Sequence, residues 1–220
     1  MNFNPGLLLD HIPTLAHGFA LTLLTWVCGT IIAIGLGFSL AVLQTLGGTF
    51  QQTAIRIYND VVRGVPFIVQ LFLVYYGGPH LGIRGDAVVI GTAMLGIYGS
   101  PYFCEVFRGG FQSVPVGYIE AGKALGLRRT TIMMRIILPQ MLVVALPSVV
   151  NLTIVLLKES TVLSVITVPE LTYQVSGISS DTFAFAECFL ILALVYWALV
   201  EITMIAGQRA ERSVMKFMQR

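Results

Sequence analysis

Long apolar runs alternate with short polar stretches along the whole chain. Five runs approach the roughly 20 mostly apolar residues that a helix needs to cross hydrocarbon: about 19–43, 58–76, 87–107, 140–157 and 183–206. Turn-forming clusters separate several of them, including Gly47-Gly48, Gly77-Gly78-Pro79 and Gly109-Gly110. The pattern predicts an all-α membrane protein with five transmembrane helices. It shows no internal repeat and no low-complexity linker, so residues 1–220 read as a single domain. In the first helix Gly29, Ala33 and Gly37 recur every fourth residue, a small-residue stripe that lets another helix approach closely. Pro66, Pro101 and Pro147 fall inside three of the runs. Each removes a backbone donor and is expected to kink or locally break its helix.

Composition agrees with burial in lipid. Hydrophobic residues make up 56% of the chain and charged residues 11%. A soluble domain carries about 25% charged residues, so a water-exposed surface is missing. Mean hydropathy is +0.84. The net charge of +2, without a basic aromatic patch, gives no sign of nucleic acid as a partner. Cys28, Cys104 and Cys188 each sit within an apolar run without metal or disulfide spacing and read as small buried residues. No basic residue precedes the first apolar run, so the start of the chain does not resemble a cleaved signal peptide.

Lys and Arg positions set an expected direction. None occurs before Arg56, whereas residues 108–135 hold Arg108, Lys123, Arg128, Arg129 and Arg135. The tail holds Arg209, Arg212, Lys216 and Arg220. Residues 160–182 have no basic residue and carry Glu170 and Asp181. With five spans the expected arrangement is N-terminus outside, with the 108–135 connection and the C-terminus in the cytoplasm.

That connection has its own pattern. Residues 116–125 have helical spacing, and Gly126 follows where a left-handed C-terminal residue is needed. A second helical stretch starts near Thr130 and runs through Leu138, and Pro139 is expected to open the fourth span, where a missing donor matters little. A short helix fixed at an angle by a glycine can fit a groove on a partner and move two spans together. An ordinary amphipathic connector is the plainer reading. Gly117-x4-Gly122-Lys123-Ala124 imitates a phosphate-binding loop, but Ala124 stands where Ser or Thr would hold magnesium and no strand precedes it. That spacing is a coincidence within a helix.

The ordered set of motifs resembles a known family. Glu120-Ala121-Gly122-Lys123-Ala124-Leu125-Gly126-Leu127 followed by Leu138-Pro139 looks like the EAA docking segment of ABC importer permeases. Gly18 and Thr22 open the first helix; Tyr58, Arg63-Gly64-x-Pro66, Gln70-Leu71-Phe72 and Tyr75-Tyr76-Gly77 mark the second. Glu105-x2-Arg108-Gly109-Gly110 ends the third, and Leu146-Pro147, Asn151, Leu156-Leu157-Lys158-Glu159-Ser160 and Pro169-Glu170-Leu171 follow. Together they are similar to permease subunits of polar amino acid ABC importers, the group serving histidine, arginine, glutamine, cystine and opines. The resemblance implies a type I importer permease fold with a cytoplasmic coupling helix, no catalytic site, no metal and no cofactor. It implies a bacterial inner-membrane location and a second permease chain, identical or related. Two ATP-binding subunits, an extracytoplasmic substrate-binding protein and a polar amino acid substrate complete the expected assembly. Glu120, Ala121, Gly126 and Leu127 are its expected ATPase-coupling residues. Gly122 departs from the family's second alanine; Tyr98-Gly99-Ser100-Pro101 and Lys158-Glu159-Ser160-Thr161 also depart from the commoner runs.

Polar groups inside a span tend to face a bundle interior or cavity. Gln70, Tyr98, Ser100, Asn151, Glu187 and Glu201 are such groups. Asn151 is seven residues before Lys158, so the two share a helix face. Lys158 and Glu159 offer both charges for an amino acid. Tyr98, Ser100, Asn151, Lys158 and Glu159 are therefore the expected substrate-pathway residues. The plainer reading makes Lys158 a snorkelling anchor, Arg63 an anchor or partner of Asp60, and Tyr75 and Tyr76 interfacial belt residues. A self-contained channel or secondary transporter is the alternative function, disfavoured by the odd span count and the lack of matched broken helices. A scaffolding protein would not need a glycine-hinged charged loop.

Overall fold

The computed structural model describes residues 11–218, with side chains through residue 215; Arg220 of the basic tail lies outside the described residues. Nine α-helices make up the described chain, and no strand occurs among the described residues. They are α1 (Ile12–Leu46), α2 (Thr49–Gly64), α3 (Phe67–Phe72), α4 (Ala87–Gln112), α5 (Val116–Ala124), α6 (Arg129–Ile132), α7 (Leu138–Glu159), α8 (Leu171–Thr182) and α9 (Phe185–Met218). Four continuous helical rods are long and apolar enough to span a membrane: Ile12–Leu46, Ala87–Gln112, Arg129–Ile166 and Phe185–Met215. A fifth span forms only if two helices bent by 100° are counted together, Thr49–Gly64 and Phe67–Leu81.

The second apolar run is therefore not one straight span. Pro66 has no N–H to donate, and Val65 before it is extended (φ −110°, ψ 131°), as a residue preceding proline prefers. The break leaves carbonyls without helical partners. Gln70 satisfies two of them, donating to the Val62 and Val65 carbonyls at 2.7 Å each. Its polarity serves the turn. Beyond α3 the helix widens into a π-helical turn at Leu73–Gly77 and tightens into a 3₁₀ turn at Gly78–Leu81. Pro101 and Pro147, by contrast, lie inside α4 and α7, which run through them without a break. Pro139 stands in the first turn of α7, as expected, although the helical rod of which α7 is part starts earlier. The rod begins at Arg129, and a π-helical turn at Met133–Ile137 lies directly before the proline. A wide turn there accommodates the residue that cannot donate.

The α1–α4 seam carries the small-residue stripe. Gly29, Ala33, Gly37 and Ala41 are buried on α1. A Cβ on Gly37 would stand 2.6 Å from Phe103 Cβ and 2.7 Å from the Ser100 carbonyl oxygen. Gly29 meets Leu95, and Gly37 meets Phe103, so α1 and α4 run parallel. α7 runs antiparallel to α4, with Met141 against Gly110 and Leu156 against Gly99. α9 returns along α7, where Gly207 seats Val150. This topology places α5, α6 and the last turns of α9 at one end. The 3₁₀ segment Ser160–Ile166, α8 and the start of α1 are at the other. Of the cysteines, Cys104 and Cys188 are buried and Cys28 is half-buried, all three free.

Candidate functional site

Between α4 and α7 lies a cavity of about 90 Å³ lined by Tyr98, Gly99, Tyr102, Phe103, Leu152, Val155 and Leu156. Tyr98 and Tyr102 stand one helical turn apart, their rings 5.5 Å between centroids and their hydroxyls 3.4 Å apart. Phe67 of α3 packs against Tyr98 with ring centroids 4.7 Å apart. The Arg63 guanidinium, at the end of α2, lies 5.7 Å from the Tyr102 ring centre. Glu159, half-buried near the end of α7, is close enough to Tyr98 to interact electrostatically with its hydroxyl.

Of the five expected pathway residues Tyr98 alone lines this cavity, and Glu159 follows the lining residue Val155 by four positions on α7. Asn151 and Lys158 flank the lining residue Val155 by four and three positions on one face of α7, and both are exposed. Ser100 is turned away. It is fully buried, and its hydroxyl pairs with Tyr58 Oη at 2.8 Å in the α2–α4 contact. Sequence reasoning made Arg63 an anchor or a partner of Asp60. Among the described residues the one ion pair is Arg108–Glu105, and Arg63 joins the aromatic cluster instead. Arg63 stands in the last turn of α2 just before the bend and, though exposed, lies against the Tyr102 ring of α4. Lys158 has no ion-pair partner among the described residues.

The connection after the third rod, which carries the Pro169-Glu170-Leu171 motif, contains α8 and a fully buried carboxylate. Glu170 caps α8, accepting from Thr172 N–H and Tyr173 N–H at 2.9 Å each. Its Oε2 also faces Thr22 Oγ1 of α1 at 3.3 Å and accepts from Tyr196 Oη of α9 at 3.4 Å. Thr22 in turn accepts from Leu171 N–H at 3.1 Å. Burial pushes the Glu170 carboxyl above its ordinary value, and the hydrogen bonds from Thr172, Tyr173 and Thr22 pull it back down. Gly18, one turn before Thr22, lets α8 approach; a Cβ there would be 3.1 Å from Leu171 Cα. The separated motifs at Gly18/Thr22 and Pro169-Glu170-Leu171 thus meet in one clasp.

At the opposite end α5 closes on Gly126, which has φ +71°. Gly126 N–H donates to the Lys123 carbonyl at 2.9 Å and Leu127 N–H to the Gly122 carbonyl at 3.1 Å. Those two bonds form a Schellman cap and satisfy carbonyls that the helix end leaves free. Glu120, Ala121, Gly126 and Leu127 are all exposed. Gly122 is the buried residue of α5 and seats it; a Cβ there would meet Ile132 and Ile136 at 3.1 Å. The arrangement offers an exposed helix held at a fixed angle to the α7 rod.

Comparison with known proteins places this architecture. Residues 29–216 match the family described as binding-protein-dependent transport system inner membrane component. A probable amino-acid ABC transporter permease, YckA of Bacillus subtilis (strain 168), is 34% identical over 91% of this chain and 88% of its own length. The arginine transport system permease ArtQ of the same organism is 30% identical over 97% of this chain and 98% of its own length. A solved amino acid ABC transporter with histidines superposes with a TM-score of 0.89 at 30% identity, covering 97% of this chain and 100% of that one. An inward-facing MetNI methionine ABC transporter superposes with a TM-score of 0.76 at 19% identity, over 91% of this chain and 96% of that one, which supports the fold alone. The chain belongs to the binding-protein-dependent transport system inner membrane component family, and is a multi-pass membrane permease with the type I ABC importer fold.

Proposed function

We propose that this permease forms half of the pathway for ATP-driven import of a polar amino acid or a derivative of one. The single observation that carries the reading is the α4–α7 cavity. It is lined by Tyr98 and Tyr102 inside an otherwise apolar bundle, and the helix that forms its other wall, α7, carries Asn151, Lys158 and Glu159. Such groups are costly in lipid and are retained where a polar solute passes. The relatives' own substrates, arginine for ArtQ and octopine for the OccM permease of Rhizobium radiobacter, are polar amino acids or derivatives.

The exposed α5 docks an ATP-binding subunit through Glu120, Ala121, Gly126 and Leu127. The Schellman cap fixes its angle, and the α6–α7 rod carries its movement to the cavity wall. A second permease chain, identical or related, completes the pore, and a substrate-binding protein delivers solute at the α8 end. Arg56, Arg63, Arg108, Lys123, Arg128, Arg129 and Arg135 cluster toward the α5 end, while Arg84 and Lys158 lie toward the other. That asymmetry supports α5 and the C-terminus in the cytoplasm and the N-terminus outside. The specificity is shared between the binding protein and the cavity.

Uptake of labelled amino acids by inverted and right-side-out vesicles holding the whole transporter tests the reading. Expected is ATP-dependent accumulation that Gly126→Asp reduces, with this chain inserted at normal levels. Uptake that persists without any ATP-binding subunit overturns it.

A further inference from the structure

α2 carries three separate stripes. It starts just after α1 ends, at the α5 end of the bundle, and the bend at Pro66 then brings Phe67 against Tyr98. Tyr98 stands 14 residues before Gln112, the last residue of α4, or about 21 Å back along the bundle. The 16 residues of α2 therefore climb through the half of the bundle nearest α5. One stripe, Ile55, Asn59 and Val62, is buried, and Asn59 donates to Cys104 Sγ of α4 at 3.6 Å. A second, Phe50, Ile57 and Val61, is apolar and exposed, at 85%, 58% and 60%. The third, Gln52, Arg56, Asp60 and Arg63, is polar and exposed as well. At about 100° per residue the three stripes lie roughly a third of a turn apart. No charge of the third stripe is in an ion pair; among the described residues the one ion pair is Arg108–Glu105. Lipid covers the apolar stripe without cost. It does not cover three charges at this depth, because charged groups within a span face a cavity or the bundle interior.

We propose that the polar stripe of α2 lines a water-filled exit leading from the Tyr98–Tyr102 cavity to the α5 end. The proposal rests on the importer reading above, with α5 in the cytoplasm, and adds the wall along which the solute leaves. Stripe and cavity are continuous. Arg63, at the top of the stripe, lies 5.7 Å from the centre of the Tyr102 ring. Asp60, Arg56 and Gln52 follow it toward α5 at intervals of three or four residues, each close to one helical turn. Asn59 and Val62 are buried against the bundle and fix the rotation of α2, so the stripe cannot turn into lipid. The charges along it alternate in sign. A solute carrying both signs meets an opposite charge at each turn, and each of those charges is exposed. Such a series of weak sites lets a solute enter and also leave.

Thiol labelling on inverted vesicles that hold the whole transporter tests the exit. Single cysteines replace Gln52, Arg56 and Asp60 on the polar stripe, and Ile57 and Val61 on the apolar one. Methanethiosulfonate ethylsulfonate, which does not cross lipid, is added outside the vesicles, on the α5 side. Its reaction is counted above that of the parent chain with its own three cysteines. A thiol facing hydrocarbon stays protonated and unreactive, so the polar-stripe positions are expected to react about fivefold or more faster than Ile57→Cys and Val61→Cys. A smaller ratio, or faster reaction on the apolar stripe, overturns the proposal. So does a spontaneous disulfide that joins two copies of the chain through Asp60→Cys, which would make the stripe a contact between permeases. The vesicles are also loaded with the binding protein and a mixture of labelled amino acids, and release on adding ATP is read before and after labelling. Labelled Gln52→Cys and Asp60→Cys are expected to stop releasing, while the reagent leaves release by Val61→Cys unchanged. Fast labelling that leaves release by both polar-stripe variants untouched overturns the passage. Wild-type vesicles that release no amino acid on ATP overturn the importer reading itself, and the labelling ratio still decides the exit.

Discussion

The two connections at opposite ends of the bundle are built on opposite plans. The Glu170 clasp at the α8 end is sealed: its carboxylate is fully buried and bonded to groups from α1, α8 and α9. The α5 connection at the other end is held out. Its cap is backbone to backbone, and Gly122 alone seats it on the rod behind. Both begin after an apolar span and both contain a short helix. The clasp ties its helix into the protein's own core, whereas α5 leaves most of its side chains exposed. The lesson is one of division of labour: one end supplies a fixed frame, and the other presents an exposed arm.

Four experiments would break or sharpen that contrast. Glu170→Ala is expected to have the largest effect. It removes the α8 cap and leaves the Tyr196 hydroxyl and two N–H groups without their acceptor, a loss of roughly 2–4 kcal/mol. Unfolding of the detergent-purified chain measures it; a loss under 1 kcal/mol would mean the clasp is no frame. Gly126→Asp comes next. A side chain at φ +71° costs roughly 1–2 kcal/mol locally. Because α5 is held out, most of the effect should appear as weaker association with the ATP-binding subunit and lower uptake, with the chain's thermal midpoint nearly unchanged. A large fall in that midpoint would make α5 part of the frame.

A smaller effect is expected from pH. The native Glu170 carboxyl lies above its ordinary value of 4.5. The folded state therefore holds this proton more tightly than the unfolded state. The clasp contributes most at low pH, and its contribution falls as pH rises from the ordinary value through the raised native one. Glu170→Gln should flatten that slope in pH-dependent unfolding; an unchanged slope would assign it to another group. The smallest effect belongs to Gly122→Ala. Alanine gains about 1 kcal/mol of helix propensity over glycine. Against this, its Cβ would press on Ile132 and Ile136 at 3.1 Å, where side-chain tips can yield by a few tenths of an ångström. A net change within about 0.5 kcal/mol of zero is expected, and uptake should follow wild type.

Much of this was legible in the chain, for identifiable reasons. The Gly29/Ala33/Gly37 stripe predicted close packing, and α4 lies against it, because nothing but a small residue tolerates 2.6 Å to a neighbouring Cβ. Gly126 predicted a left-handed helix end and has φ +71°. The break at Pro66 was legible but its size was not, because neither hydropathy nor the proline tells a kink from a turn of 100°. α8 was missed because a glutamate is an uncommon cap and its partners, Thr22 and Tyr196, are 148 and 26 residues away. Ser100 was grouped with Tyr98 by proximity in sequence, but a helix turns about 200° in two residues, so the two face different neighbours. Arg63 escaped for the same kind of reason: its ring partner is 39 residues on, across the bend.

The bend at Pro66 also changes the barrier that a polar solute meets. The arm beyond it, Phe67–Leu81, has 15 residues. At about 1.5 Å per residue it reaches roughly 22 Å, short of the roughly 30 Å of a bilayer's hydrocarbon. The Tyr98 face of the cavity adjoins that arm through Phe67. The arm completes a span only together with α2, so the wall beside Tyr98 is shared by two helices across the bend.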